Sequence, residues 1–179
     1  MRLLLTFSRA IDAVNERLGW LANVLVLLAC LISAGNAMSR YAFDLSSNAW
    51  LEIQWYLFAA VVMFGAPIVL KLNEHVRVDL LYGKLRGNGP VYVDLFGLVF
   101  FLMPAMLLIA WLSWPLLVNM YVTNEMSSNA GGLIRWPAML TLPLGFALMA
   151  LQGLAEIIKR VAYLRGLYAM STHYEAPVQ

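Results

Sequence analysis

Charge is scarce in this chain. Of its 179 residues only 12% are Asp, Glu, Lys or Arg, and 62% are hydrophobic; a soluble domain carries about 25% charged and roughly 45–50% apolar residues. That excludes an ordinary water-soluble domain and describes a small membrane protein. Cysteine is nearly absent as well. The lone Cys30, inside an apolar run, makes no internal disulfide and leaves a Cys₂His₂-type zinc site without its ligands. Histidine occurs only as His75 and His173, both outside the apolar runs, so a haem held between helices by histidine is excluded. Walker and dinucleotide glycine loops, G-x-S-x-G and H-E-x-x-H are missing from the sequence. No metal and no cofactor is expected.

What is present is four apolar stretches, at about 18–39, 49–70, 91–118 and 136–158. Each is long enough to cross a hydrocarbon core of ~30 Å, which takes about 20 helical residues. A barrel would instead show alternating strands of about ten residues. The expected fold is therefore an all-α integral membrane protein with four transmembrane helices. Pro67, Pro104, Pro115 and Pro143 lie within spans and predict local kinks. Lys and Arg set the orientation. Ten fall in the N-terminal segment, the second-to-third connection and the C-terminal segment; two, Arg40 and Arg135, fall on the other side. Both termini should then be cytoplasmic.

Residues 1–17 carry Leu3, Leu4, Phe7, Ala10, Ile11 and Val14 on one helical face and Arg2, Arg9, Asp12 and Glu16 on the opposite arc. That pattern predicts an amphipathic helix lying at the membrane surface, with lipid as its partner; packing on a partner protein is the alternative, and the two are compatible. The expected organisation is thus an interfacial helix over 1–17, a membrane domain over 18–158 and a cytoplasmic tail over 159–179. The span centres hold only mild polar groups, Asn23, Ser33, Asn36, Gln54 and Ser113, with Asp94 and Glu156 near cytoplasmic ends. A transporter acting alone places ionisable residues within the membrane. Four helices with no buried charge and no catalytic motif read as a scaffold or accessory subunit.

The loops carry the remaining signals. "YAFDLSSNAW" is a tight hairpin in which Ser46, Ser47 or Asn48 caps the second helix and Arg40 faces Glu52. "NMYVTNEMSSNAGGLIRW" is longer and polar, with Glu125 and Arg135 its only charges and Gly131–Gly132 permitting a sharp turn. Arg40, Glu52, Glu125, Ser127 and Arg135 form a candidate outer docking surface, and Trp50 and Trp136 are expected interface anchors. The cytoplasmic stretch "KLNEHVRVDLLYGKLRG" places His75, Asp79 and Arg86 on one helical strip. Two ligands are too few for a metal and no nucleophile accompanies them. An interfacial helix with a polar network is the better reading.

"WLEIQWYLFAAVVMFGAP" at 50–67, "NEHVRVDLL" at 73–81 and "NEMSSNAGGLIRWPAMLTLPLGFALM" at 124–149 together resemble the small membrane subunit (DctQ-like) of tripartite ATP-independent periplasmic (TRAP) transporters. The run His75, Arg77, Asp79 is the most specific element; Glu52 and the Glu-x-Ser pair Glu125 and Ser127 support it. The resemblance implies a bacterial inner-membrane subunit without catalytic chemistry. Its partners would be a large membrane subunit carrying the substrate and sodium sites, and a periplasmic solute-binding protein whose docking surface it helps to form; no nucleic acid is among them. Organic acids are the implied substrate class of such transporters. Two other readings remain at this point. One is a small four-helix membrane enzyme with an interfacial site built on His75, Arg77, Asp79, Lys84 and Arg86. The other is a homo-oligomeric channel.

Overall fold

The structure is a computed structural model that describes residues 1–73, 85 and 87–170. His75, Arg77, Asp79, Lys84, Arg86 and the cytoplasmic-loop helix expected around them lie outside the described residues. Four helices are long and apolar enough to cross a membrane: α1 (Arg2–Phe43), α2 (Asn48–Leu72), α3 (Gly89–Val122) and α4 (Trp136–Leu164). The only extended pairing among the described residues is one antiparallel bridge, Met126 with Ile134. The chain is an all-α, multi-pass membrane protein.

The helix ends follow from local chemistry. Asp44 and Asn73, at the C-caps of α1 and α2, adopt left-handed backbone with φ of 55° and 62°. Their short polar side chains make that conformation accessible without glycine. Pro90 and Pro137 sit in the first turns of α3 and α4, where the missing N–H costs no helical bond. Within α3, residues Leu98–Leu102 form a π-helical segment directly before Pro104, and the Met103 N–H reaches back to the Leu98 carbonyl. Proline removes a donor from the ladder, and a π turn is one way to absorb the disruption.

α4 is the hub. It packs against α1, α2 and α3, while α1 and α2 form a hairpin beside it. Three glycines set the close approaches. A Cβ at Gly19 would lie 3.0 Å from Ile68, one at Gly145 would lie 2.5 Å from the Met63 Cβ, and one at Gly153 would lie 2.7 Å from Leu102 in the π segment. Small residues let membrane helices approach closely where lipid gives no hydrophobic drive. At Gly65 and Gly97, by contrast, nothing lies within 4 Å of an added Cβ. The most apolar window of α3 is only 6% buried, against 33% for α4, so α3 presents most of its circumference outward.

Two sequence boundaries shift. α1 is unbroken from Arg2 to Phe43, about 63 Å at 1.5 Å per residue, so no helix end separates residues 1–17 from the first span. The inner face of this extension is partly polar. Ser8 and Asn15 are buried against α4, and Leu3, Leu4, Phe7 and Val14 are exposed. At the other end of the chain, α4 continues past residue 158 to Leu164 with Lys159 and Arg160 buried, so these two are helix-packing residues and not part of a solvated tail.

Candidate functional site

Even-numbered antiparallel spans place both chain ends on one side. The bundle therefore has a loop end, capped by residues 123–135, and a terminal end. Each carries one polar centre.

At the loop end the centre is Glu52, in the second turn of α2. It is 3% exposed. The Ser127 hydroxyl and the Asn129 amide (2.7 Å) both donate to its Oε1, and the Leu133 backbone N–H donates to Oε2 at 2.7 Å. The loop folds around this carboxylate. Ser127 N donates to Leu133 O and Arg135 N to Glu125 O, both at 2.9 Å, and Gly131 turns the chain at φ 69°. Gly132 sits so close that a Cβ there would lie 2.5 Å from the Ser127 Cβ and 2.9 Å from Glu52 Oε1. Tyr56 donates to Ile134 O at 2.8 Å, and Asn48 donates to Ala130 O at 2.9 Å. Both clamp the loop onto α2.

The predicted docking residues largely converge here. Glu52 and Ser127 bond directly, and Arg135 pairs with Glu125 at 2.6 Å on the loop's outer side. Arg40 does not join them. It is exposed at the end of α1, and Glu52 takes its partners from the second loop, so the expected Arg40–Glu52 pair is not formed. The physical reason is geometric: the backbone N–H and side-chain donors of residues 127–133 enclose the carboxylate before Arg40 can reach it. Ser47 is the N-cap of α2 without a side-chain cap bond. Trp50 is half exposed, and Trp136 packs edge-on to Tyr121 at 5.5 Å. Below the loop lies a cavity of about 340 Å³ between α2 and α4, reaching from Glu52 and Arg135 down to Met63 and Leu142.

The terminal end holds a centre that the sequence reading missed. Asn15 donates to Gln152 Oε1 at 2.7 Å, and the Gln152 amide donates to Asp12 at 2.9 Å and Glu156 at 3.0 Å. Lys159 bridges Asp12 (3.1 Å) and Glu156 (2.5 Å). Arg160 holds Glu156 at 2.6 Å and Asp94 at 2.9 Å. α4 supplies both cations, and α1 and α3 each supply an acid, so one network ties three helices. The expectation of no buried charge is thereby corrected: Glu156 and Arg160 are 4% and 5% exposed. Burial is sustainable because each charge has an opposite partner and further hydrogen bonds. Counting from Trp136, Gln152 lies roughly 24 Å and Arg160 roughly 36 Å along the helix, which puts the network at the edge of a ~30 Å core. The signal was present in sequence as spacing: Ser8, Asp12 and Asn15 on α1, and Gln152, Glu156, Lys159 and Arg160 on α4, recur at helical intervals. Outside the network, Glu16 of α1 pairs with Lys71 of α2.

Among the described residues, no group of three His, Cys, Asp or Glu side chains is placed to hold a metal. The residues between the two polar centres carry no charge: 18–39, 53–70, 95–122 and 136–155 contain no Asp, Glu, Lys or Arg. Spanning helices with charge-free middles, polar centres at both ends and a structured loop at one end describe a small multi-pass membrane protein. The chain matches the family described as "Tripartite ATP-independent periplasmic transporters, DctQ component" over residues 29–162 and belongs to that family; it is a transporter subunit. It is also similar to the "Putative TRAP transporter small permease protein" of Haemophilus influenzae, with 28% identity over 99 residues, which cover 54% of this chain and 61% of that one. The match thus spans less than two thirds of that relative's length. No solved structure matches the chain. The family match includes Glu52, its loop and the α4 side of the terminal network, whereas Asp12 and Asn15 precede it.

Proposed function

We propose that this chain is the non-catalytic small permease subunit of a sodium-coupled uptake transporter for organic acids in the bacterial inner membrane. Its role is to fix a large membrane subunit in the bilayer and to help dock a periplasmic solute-binding protein. The observation that carries the reading is the distribution of charge and burial. No charged side chain lies along the middle of any span, so the chain offers no charged site along a pathway of its own, and α3 leaves most of its apolar surface for lipid or a partner protein. The ten-to-two bias of Lys and Arg supports an orientation with both termini cytoplasmic and the loop of 123–135 periplasmic.

On that orientation the Glu52-centred loop is a preformed face toward the periplasm, with the Arg135–Glu125 pair on its rim and Arg40 in the last turn of α1 on the same side of the membrane. The exposed apolar side chains of residues 3–14 suit the cytoplasmic membrane surface. His75, Arg77, Asp79 and Arg86 belong to the cytoplasmic face in this reading. Reconstitution tests it. Proteoliposomes holding the large subunit and this chain, given the binding protein and an inward sodium gradient, should take up solute; vesicles lacking this chain should not. Uptake by this chain alone would overturn the proposal.

A further inference from the structure

The cavity beneath the loop has a composition that selects its occupant. Below its rim, the polar lining is already satisfied. Glu52 accepts three hydrogen bonds, Ser127 donates to Glu52, Tyr56 donates to Ile134 O, and the Thr141 hydroxyl donates to Ala138 O at 2.7 Å. A water placed inside would find few partners, and polar partners are what hold buried water. Apart from Trp55 and Arg135 at the rim, the remaining lining is apolar: Ala59, Met63, Met120, Ala138, Met139 and Leu142. At about 340 Å³ it falls within the range of small-molecule sites, roughly 300–1,000 Å³.

Its depth is that of one leaflet. From Glu52 to Met63 is eleven residues of α2, about 16 Å of helix, or half of a ~30 Å hydrocarbon core. Trp55 on the wall is 63% exposed, so the cavity is open to the surroundings of the helices. Unspent donors gather at the upper end: the Trp55 indole N–H and the Arg135 N–H groups not engaged with Glu125. Guanidinium donors fit phosphate oxygens, and a rim tryptophan suits the headgroup level. The Glu125 carboxylate, about a third exposed at 36% beside Arg135, complements an ammonium.

We propose that this cavity binds one glycerophospholipid of the adjacent leaflet. An acyl chain lies between Ala59 and Ala138, the phosphate is at Arg135, and the headgroup ammonium is at Glu125. A zwitterionic phosphate–ammonium headgroup satisfies both members of the rim pair, and a headgroup without an amine satisfies one. The site is a property of this chain and does not depend on which partner covers the loop.

Two measurements test it on the full chain purified from membranes together with whatever proteins accompany it. In native mass spectrometry, delipidated protein is offered equal phosphatidylethanolamine and phosphatidylglycerol. It should retain one phosphatidylethanolamine per chain. Ala138→Phe, which fills the chain slot, should lower retention about tenfold, and Glu125→Gln, which removes the partner of the ammonium, should lower the preference for phosphatidylethanolamine roughly fivefold. Ala59→Leu fills the slot from the opposite wall and serves if Ala138→Phe does not fold. Retention unchanged in the filled variant, or bound detergent in place of lipid, would overturn the proposal. Separately, p-benzoylphenylalanine in place of Trp55, an aromatic side chain already on the cavity wall, should, on irradiation in native membranes, yield an adduct with the mass of a phospholipid. An adduct only to another polypeptide would overturn the lipid assignment.

Discussion

At the loop end, Glu52 is buried against neutral donors that all come from one loop; at the terminal end, buried Glu156 and part-buried Asp12 and Asp94 are held by two cations that both come from one helix. The first arrangement organises a segment. Three donors between Ser127 and Leu133 point at one carboxylate, so the loop takes its shape from α2 and its fold is local. The second arrangement organises helices. Lys159 and Arg160 reach α1 and α3 from opposite flanks of α4, so the network sets how three long elements sit together. A hydrogen-bonded carboxylate and a paired one thus do different work, and the two ends should fail differently when disturbed.

The largest expected effect is at the terminal end. Arg160→Met leaves Glu156 and Asp94 without their shared guanidinium, and removing one partner of a buried pair costs about 3–5 kcal/mol. Denaturant titration of the purified protein should show a loss of that size across the whole fold. The double variant Arg160→Met with Glu156→Leu should recover part of it, because buried ion pairs are replaceable by packed apolar groups. No recovery would mean that α4 needs the guanidinium for its contact with Asp94 above all.

Next comes Gly132→Ala. The added methyl meets the Ser127 Cβ and a Glu52 oxygen at distances no side chain tolerates, and overpacking of this kind costs about 1–3 kcal/mol. The cost should appear locally: amide exchange in residues 123–135 should accelerate while α1, α3 and α4 keep their protection. Acceleration spread over all helices would contradict a loop that folds on Glu52 alone. Glu52→Gln should act on the same amides. A carboxamide turns an NH₂ group toward donors that had met an acceptor oxygen, so exchange at Leu133 should rise by roughly tenfold. Because both changes strike one unit, the double variant should be little worse than either single one.

The two ends were unequally legible in the sequence. Four spans followed from apolar length, and the loop residues Glu52, Glu125, Ser127 and Arg135 stood out because charge is so scarce around them. Their geometry did not follow, since Arg40 was as near to Glu52 along the chain as any candidate and the true donors include a backbone N–H, which has no sequence signal. The terminal network was misread for another reason. Lys159 and Arg160 count as topology signals under the positive-inside rule, and that use hid their second role as packing residues. Asp12 likewise looked like the wet side of an interfacial helix. Period alone cannot say whether a polar stripe faces water or another polar stripe; only the matching stripe on α4, read together with that on α1, distinguishes the two.

The smallest stability effect should come from Arg135→Ala, and it sharpens the comparison most. Arg135 pairs with Glu125 while both stay substantially exposed, at 53% and 36%, and such pairs contribute about 0–1 kcal/mol. Neither the fold nor loop exchange should change appreciably, since Glu52 and its donors are untouched. On the proposed docking role, association with a solute-binding protein should change instead. Rim charges govern encounter rates and their salt dependence more than they govern stability. Surface plasmon resonance on the assembled complex, at low and at physiological salt, should show a slower on-rate for Arg135→Ala and a flatter dependence on ionic strength. An unchanged on-rate and salt slope would detach Arg135 from docking and leave the rim pair to the lipid headgroup.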